Sequence, residues 1–341
     1  MYENKIITVE GLPILDEENK FSEDELINLV KNQETLSTNQ DERINVMYKV
    51  LRQPVQVERR RGRKKKPTYI PVVEQADAGK GRCVVVKTRG LELTDFDLIV
   101  FDSLLSIYND HRHNINDSVF IIGNKEFSNF YDQSNQTVFF RKLKDSLDSI
   151  ASQVVAIYKF DKGVTVSNEV LDRLKKGEKP KKSDMTQWVG ANLLQVEYGE
   201  CDGKLAIKFN IPFAPFITEG GTFSHHIKKD ILKKSVDNPR LYWIAKYFGY
   251  HFDFRNNKSV KIGSLIKYLG EEEDFANSSN PRRYLAELGK DIEWVIKNAF
   301  TDDVICKLDT GDGKNLGKRN YLTAKIVPLK CGGKAYTRKE K

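Results

Sequence analysis

Two stretches of the chain open on the same tripeptide: "NPRLYWIAKYFGYHF" (238–252) and "NPRRYLAELGKDIEWVIKNAF" (280–300). In each, the asparagine can cap a helix whose first position is taken by proline, where a missing N–H costs nothing. In the second stretch Leu285, Leu288, Ile292, Val295, Ile296 and Ala299 recur at spacings of three and four, which predicts a long amphipathic helix. Between the two, "SVKI" (259–262) reads as a short strand, and "SLIKYLG" (264–270) as a short helix that Gly270 ends in a left-handed conformation. The acidic run Glu271–Asp274 reads as a solvated loop rather than a metal cradle. Downstream, "DVICKL" (303–308) and "YLTAKIVPL" (321–329) flank the turn-rich "DTGDGKNLGKRN" and predict a hairpin. Helix, short strand, two helices and a hairpin, in that order, make a winged helix-turn-helix.

The same order occurs upstream. In "LTDFDLIVFDSLLSIYND" Thr94 is an N-cap with Asp97 three residues on, and Phe96, Ile99, Val100, Ser103, Leu104 and Ile107 share one face. A strand is predicted at "SVFII" (118–122), a short helix at "KEFSNFY", and a third helix at "QTVFFRKLKDSLDSI" (136–150), which buries Phe139, Leu143, Leu147 and Ile150. The strand "VVAIYKF" (154–160) closes the passage. The break "RLKKGEKPKKSD" (173–184) reads as a loop within the domain. After it, "WVGANLLQVEY" and "KLAIKFNI" read as strands joined by "GECDG".

The fold class that follows is α+β, with two tandem winged helix-turn-helix domains. A first domain over 81–218 and a second over 219–330 are expected. An N-terminal arm with the basic run over 1–80, loosely packed to about residue 45 and with "SEDELINLVKNQ" as the one convincing helix there, precedes them, and a basic tail over 331–341 follows. The chain has 341 residues, a hydrophobic content of 39% and a net charge of +8. That is enough apolar material for two cores, and the charge favours an acidic partner. No apolar run is long enough to span a membrane, and the first 20 residues lack the pattern of a signal peptide. A DNA-associated cytoplasmic protein is therefore expected. The four cysteines show no CxxC spacing and offer no zinc framework.

In this architecture the third helix of each unit is the one able to enter a major groove, where cations meet phosphates and polar side chains meet base edges. The second unit's helix carries Arg283, Lys290 and Lys297 at intervals of seven, with Arg282 at its start. The first unit's helix carries Arg141, Lys142 and Lys144, with Gln136 and Thr137 at its start. Either face alone could be an ordinary solvated surface; the pair in matching places points to double-stranded DNA. Lys314, Lys318 and Arg319 lie at the hairpin tip, either as a basic wing on the DNA backbone or as solvated side chains. "VERRRGRKKKPT" (57–68) concentrates Arg59, Arg60, Arg61, Arg63, Lys64, Lys65 and Lys66 around one glycine. It fits a minor-groove hook beside the helices' site, with a nuclear localisation signal as the alternative.

Enzymatic patterns fit poorly. The "HRH" of His111–His113 would need an apolar middle residue to present both imidazoles on one face of a strand, and it has Arg112. His225 and His226 are adjacent and have no carboxylate placed to complete a metal site. The spacing around Gly311 and Gly317 fails as a phosphate-binding loop, since Arg319 stands where Ser or Thr is required and a strand follows. No enzyme activity, metal or cofactor is expected.

The chain resembles the plasmid replication initiators built from two tandem winged-helix domains. The likeness rests on "LTDFDLIVFDSLLSIY", "GKLAIKFNIPFAPFI", "NPRLYWIAKYFGYHF", "VKIGSLIKYLG" and "PRRYLAELGKDIEWVIKNAF", and covers roughly residues 85–328. It implies sequence-specific binding of repeated origin sites through both third helices, melting of adjacent A·T-rich DNA, and recruitment of a replicative helicase or its loader. It also implies a homodimer through the first winged helix. The chain departs from the family in its long N-terminal region and in the lysine-rich insertion at 175–182. A transcriptional repressor of the same fold, or a metal-dependent origin-nicking relaxase or nuclease, stand as the alternatives.

Overall fold

The computed structural model describes residues 33–39, 42–58, 68–78, 81–111, 119–123, 131, 136–160, 166–178, 187–198, 204–209, 223–251, 259–301, 304–311, 316–317 and 320–331. The expected helices at "SEDELINLVKNQ" and "KEFSNFY", the basic run 59–66 and most of the C-terminal tail lie outside them.

The N-terminal part contributes β1 (Thr35–Asn39), α1 (Glu42–Leu51), β2 (Gln56–Glu58), β3 (Thr68–Ile70) and β4 (Val72–Ala78). The described part of the expected N-terminal arm thus packs into the fold. Val46, Met47, Tyr48, Val50 and Leu51 of α1 are buried, because "NVMYKVL" supplies an apolar face that the rest of the fold covers. β4 is one edge of a four-stranded antiparallel sheet.

The first unit runs from β5 (Gly81–Arg89) through α2 (Asp95–His111), β6 (Val119–Gly123), α3 (Gln136–Ala151), β7 (Val154–Phe160), α4 (Asn168–Lys175), β8 (Gln187–Asn192) and β9 (Leu194–Tyr198) to β10 (Lys204–Phe209). The capping reading at α2 is realised: the Thr94 backbone N–H and hydroxyl both donate to Asp97 Oδ2 at 2.8 Å, and the Asp97 N–H returns a bond to the Thr94 hydroxyl. The hairpin of this unit is β9–β10, with β6 paired to β10 in the order β6-β10-β9. The strand at 154–160 forms as expected but belongs elsewhere, to the sheet β4-β5-β7-β8. That sheet has a small core of its own with α4, built on Val84, Val86, Ala156, Tyr158, Phe160, Val166 and Leu174. Arg173–Lys175, read as the start of a loop, form the last turn of α4, which Ser167 caps.

β11 (Phe223–Lys228), which pairs antiparallel with β1, and α5 (Ile231–Ser235) lead into the second unit. There follow α6 (Pro239–His251), β12 (Val260–Lys261), α7 (Ile262–Leu269), α8 (Glu272–Asn277), α9 (Pro281–Asn298), β13 (Val304–Asp309) and β14 (Lys325–Cys331). The sheet order is β12-β14-β13. It matches β6-β10-β9: the strand after the first helix pairs with the last strand of the hairpin in both units. The fold is α+β with two winged helix-turn-helix arrangements, the first carrying an inserted strand–helix–strand between α3 and its hairpin. Gly270 ends α7 at φ 73°, as its position predicts. The acidic run read as a loop is instead the start of the short helix α8.

One apolar core passes without a break through both units and α1. Its centre is formed by α2 and α6, the first helix of each unit. Every residue of α2 from Phe96 to Ile107 is buried, and so is every residue of α6 from Leu241 to Gly249. The stripe read on α2 is therefore correct but incomplete, because α1, β1 and α6 cover the face left over.

Candidate nucleic-acid interface

The helix α9 takes its position from both ends. At its start the Asn280 side chain accepts the Arg283 N–H at 3.1 Å, with Pro281 in the first turn. Leu285, Leu288, Ile292 and Val295 are fully buried, which turns Arg282, Arg283, Lys290 and Lys297 outward; all four are exposed. A polar clamp fixes the helix against α6 and α8. Arg240 reaches Glu271 at 3.0 Å and Asp291 at 3.3 Å, Asn238 donates to Asp291 at 3.1 Å, and the Tyr284 hydroxyl donates to Glu271 at 2.6 Å. Burial, and then the bond to Glu271, push the Tyr284 phenol far above its ordinary value, so it remains a donor. These residues lie 13 to 53 positions apart in pairs, so no local pattern in the sequence announces the clamp.

The exposed face of α9 is not uniformly cationic. Arg283 Nε donates to Glu287 Oε1 at 2.8 Å, one turn on, and Glu293 is also exposed. Glu287 holds the Arg283 guanidinium more firmly protonated, while Arg283 pulls the Glu287 carboxyl below its usual range. That carboxylate repels a phosphate approaching Arg283.

On α3, Phe139, Leu143, Leu147 and Ile150 are buried as the periodicity predicts, and Thr137, Arg141, Lys142 and Lys144 are exposed. Gln136 begins the helix. Lys142 is drawn back toward α2, with its ammonium 4.1 Å from the centroid of the Phe96 ring. Asp145 and Asp148 are exposed on the same helix.

The wing residues Lys314, Lys318 and Arg319 lie outside the described residues, but the segments flanking them are held against the helices. Leu316 is buried, and its Cβ lies 3.4 Å from where a Cβ on Gly289 of α9 would stand. A larger side chain at Gly289 would meet Leu316 there. Tyr321 packs on Phe275 of α8 at 5.0 Å, and Phe275 on Tyr284 at 5.1 Å.

Arg59, Arg60, Arg61, Arg63, Lys64, Lys65 and Lys66 also fall outside the described residues. In sequence they lie between β2 and β3, which pair antiparallel with Glu58 opposite Thr68. His111 ends α2, while Arg112 and His113 are not described. His225 and His226 are successive residues of β11. Among the described residues no group of histidine, cysteine or carboxylate side chains could hold a metal ion, and no helix is long and apolar enough to cross a membrane.

No family model matches the chain, and no curated protein matches it. Among solved structures it is similar to a crystal structure of domains 2 and 3 of RctB. The identity is 10% and the TM-score 0.48, over 85% of this chain and 99% of that one. A second crystal structure of RctB domains 2–3 aligns at 12% identity and a TM-score of 0.47, over 84% and 97% of the two chains. The Pi initiator protein, solved in complex with iteron DNA, aligns at 14% identity and a TM-score of 0.37, over 73% and 97%.

Proposed function

We propose that this protein binds double-stranded DNA in a sequence-specific manner and initiates replication of a plasmid or related mobile element. The helices α3 and α9 read successive major grooves of origin repeats. The observation that carries this reading is the repeated architecture. Two units with the same strand order leave α3 and α9 with an apolar face buried and exposed arginines and lysines in solvent. Phosphate contacts from those cations supply affinity, and polar side chains such as Thr137 supply base discrimination. The mechanism is binding and deformation of DNA, with no covalent step. Dimerisation through the first unit and recruitment of a replicative helicase or its loader belong to the same proposal.

Footprinting on the DNA that flanks the gene tests it. Two groove-reading helices on one chain protect roughly 20 base pairs, about two helical turns. Several direct repeats of that length, on a fragment that confers replication when the protein is supplied, are the expected result. A single protected operator without origin activity would mark a repressor. Divalent-metal-dependent nicking, lost when His111 and His113 are replaced, would mark a relaxase.

A further inference from the structure

At the contact between the two units, four polar side chains meet inside an otherwise apolar core. Asp102 of α2 accepts hydrogen bonds from the Tyr48 hydroxyl of α1 and from the Tyr242 hydroxyl and Lys246 ammonium of α6. The Lys246 ammonium also lies 3.4 Å from the Tyr48 hydroxyl, 4.6 Å from the Tyr48 ring centroid and 5.5 Å from that of Trp243. All four are buried, with Asp102 at 6% exposure and Lys246 at 3%. Burial pushes both tyrosines well above their ordinary pKa, with the Asp102 charge adding to it, and burial lowers Lys246.

Apolar packing tolerates small slips of one helix over another, because its attraction has no direction. A charge-assisted hydrogen bond does not. If α6 turned or slid against α2, Asp102 and Lys246 would each be left as a buried charge without a partner, which is strongly destabilising. The rest of each unit makes this contact matter at the protein surface. α2 grips α3 through Phe96 and Phe139, whose rings are 6.0 Å apart, and α6 grips α9 through the bonds of Asn238 and Arg240 to Asp291.

We propose that the Asp102–Lys246 pair, with Tyr48 and Tyr242, is the positioning element that fixes the separation and angle between α3 and α9. It thereby sets the spacing between the two half-sites the protein accepts. Asp102 is a positioning residue: it touches no DNA and acts through the helices it locks. The inference rests on the DNA-binding reading for its consequence but not for its geometry, so the two can fail separately.

The test uses the full chain with spin labels at Asp145→Cys on α3 and Glu293→Cys on α9. The background has Cys201→Ser and Cys331→Ser; Cys83 and Cys306 are buried. Two lock variants are compared with this parent: Asp102→Asn, and the double change Asp102→Leu with Lys246→Met. The double change removes both charges together and so avoids leaving either unpaired. Pulsed dipolar spectroscopy without DNA should give one narrow distance for the parent and a clearly broader distribution for the folded variants. With the protected duplex as probe, inserting two base pairs between its halves should weaken parent binding at least tenfold and the double variant less than threefold. A folded double variant with a distribution as narrow as the parent's would overturn the proposal, as would a double variant that cannot fold. A parent that binds no duplex would instead sink the DNA-binding reading and leave the distance measurement to decide the lock.

Discussion

Lys87 shows how much a single side chain can hold. It is fully buried on β5 and donates to three backbone carbonyls, those of Leu51 at 3.2 Å, Gln53 at 2.8 Å and Leu91 at 2.6 Å. It thus terminates α1 and ties the chain that enters α2. Replacing it with methionine keeps the volume but orphans those carbonyls, and should lower unfolding free energy by about 2–3 kcal/mol in chemical denaturation. Burial brings its amine down to about 8 from an ordinary value of 10.5. The folded state therefore releases this proton before the unfolded state does, and stability rises with pH between those two values. The stability gap between wild type and Lys87→Met should widen from pH 8 to pH 10; a constant gap would contradict the assignment. At Glu287 the expected effect is on binding. Glu287→Ala frees Arg283 and removes a negative charge from the exposed face of α9, so affinity for duplex DNA should rise several-fold at low salt, with a smaller gain at high salt. Unchanged affinity by fluorescence anisotropy would take α9 out of the interface.

Among the elements, α9 and the wing are the pair whose dependence on each other is most specific. Leu316 packs against α9 beside Gly289, and Tyr321 joins the aromatic contact with Phe275 and Tyr284. Gly289→Leu would force Leu316 away. A loss of about 1–3 kcal/mol is expected, together with faster amide exchange at 316–324 than at β14. Exchange that quickens equally throughout would show that the wing has no separate attachment. The elements themselves were largely legible beforehand. Thr94, Asn280, Pro281 and Gly270 act locally, through groups within four residues of them, so the boundaries of α2, α7 and α9 could be read. α1 could not: only five of its residues are strongly apolar, and what buries Val46, Met47, Val50 and Leu51 is β4, β5 and the two central helices. The strand at 154–160 was recognised and misplaced, because alternation predicts a strand and says nothing about its neighbour.

For the molecule as a whole, the continuous core predicts a single unfolding event. Trp188 lies in β8, Trp243 in α6 and Trp294 in α9. Their fluorescence and far-ultraviolet circular dichroism should give coincident denaturation curves. Two separated transitions would mean that the units fold independently despite their shared helices. The sequence by itself determined α2, α3, α6, α7 and α9, the caps at Thr94, Asn280 and Gly270, the repetition of the elements' order, and which face of α3 and α9 turns its cations to solvent. All of that follows from periodicity and short-range hydrogen bonding, which act within a few residues. Only the tertiary structure decided that Leu36 and the apolar face of α1 belong to the core, that the first unit's hairpin is β9–β10, and that Arg240 and Glu271 hold α9. It alone brought Asp102 to Lys246, because a buried charge finds its partner across 144 residues through packing, which no local pattern records.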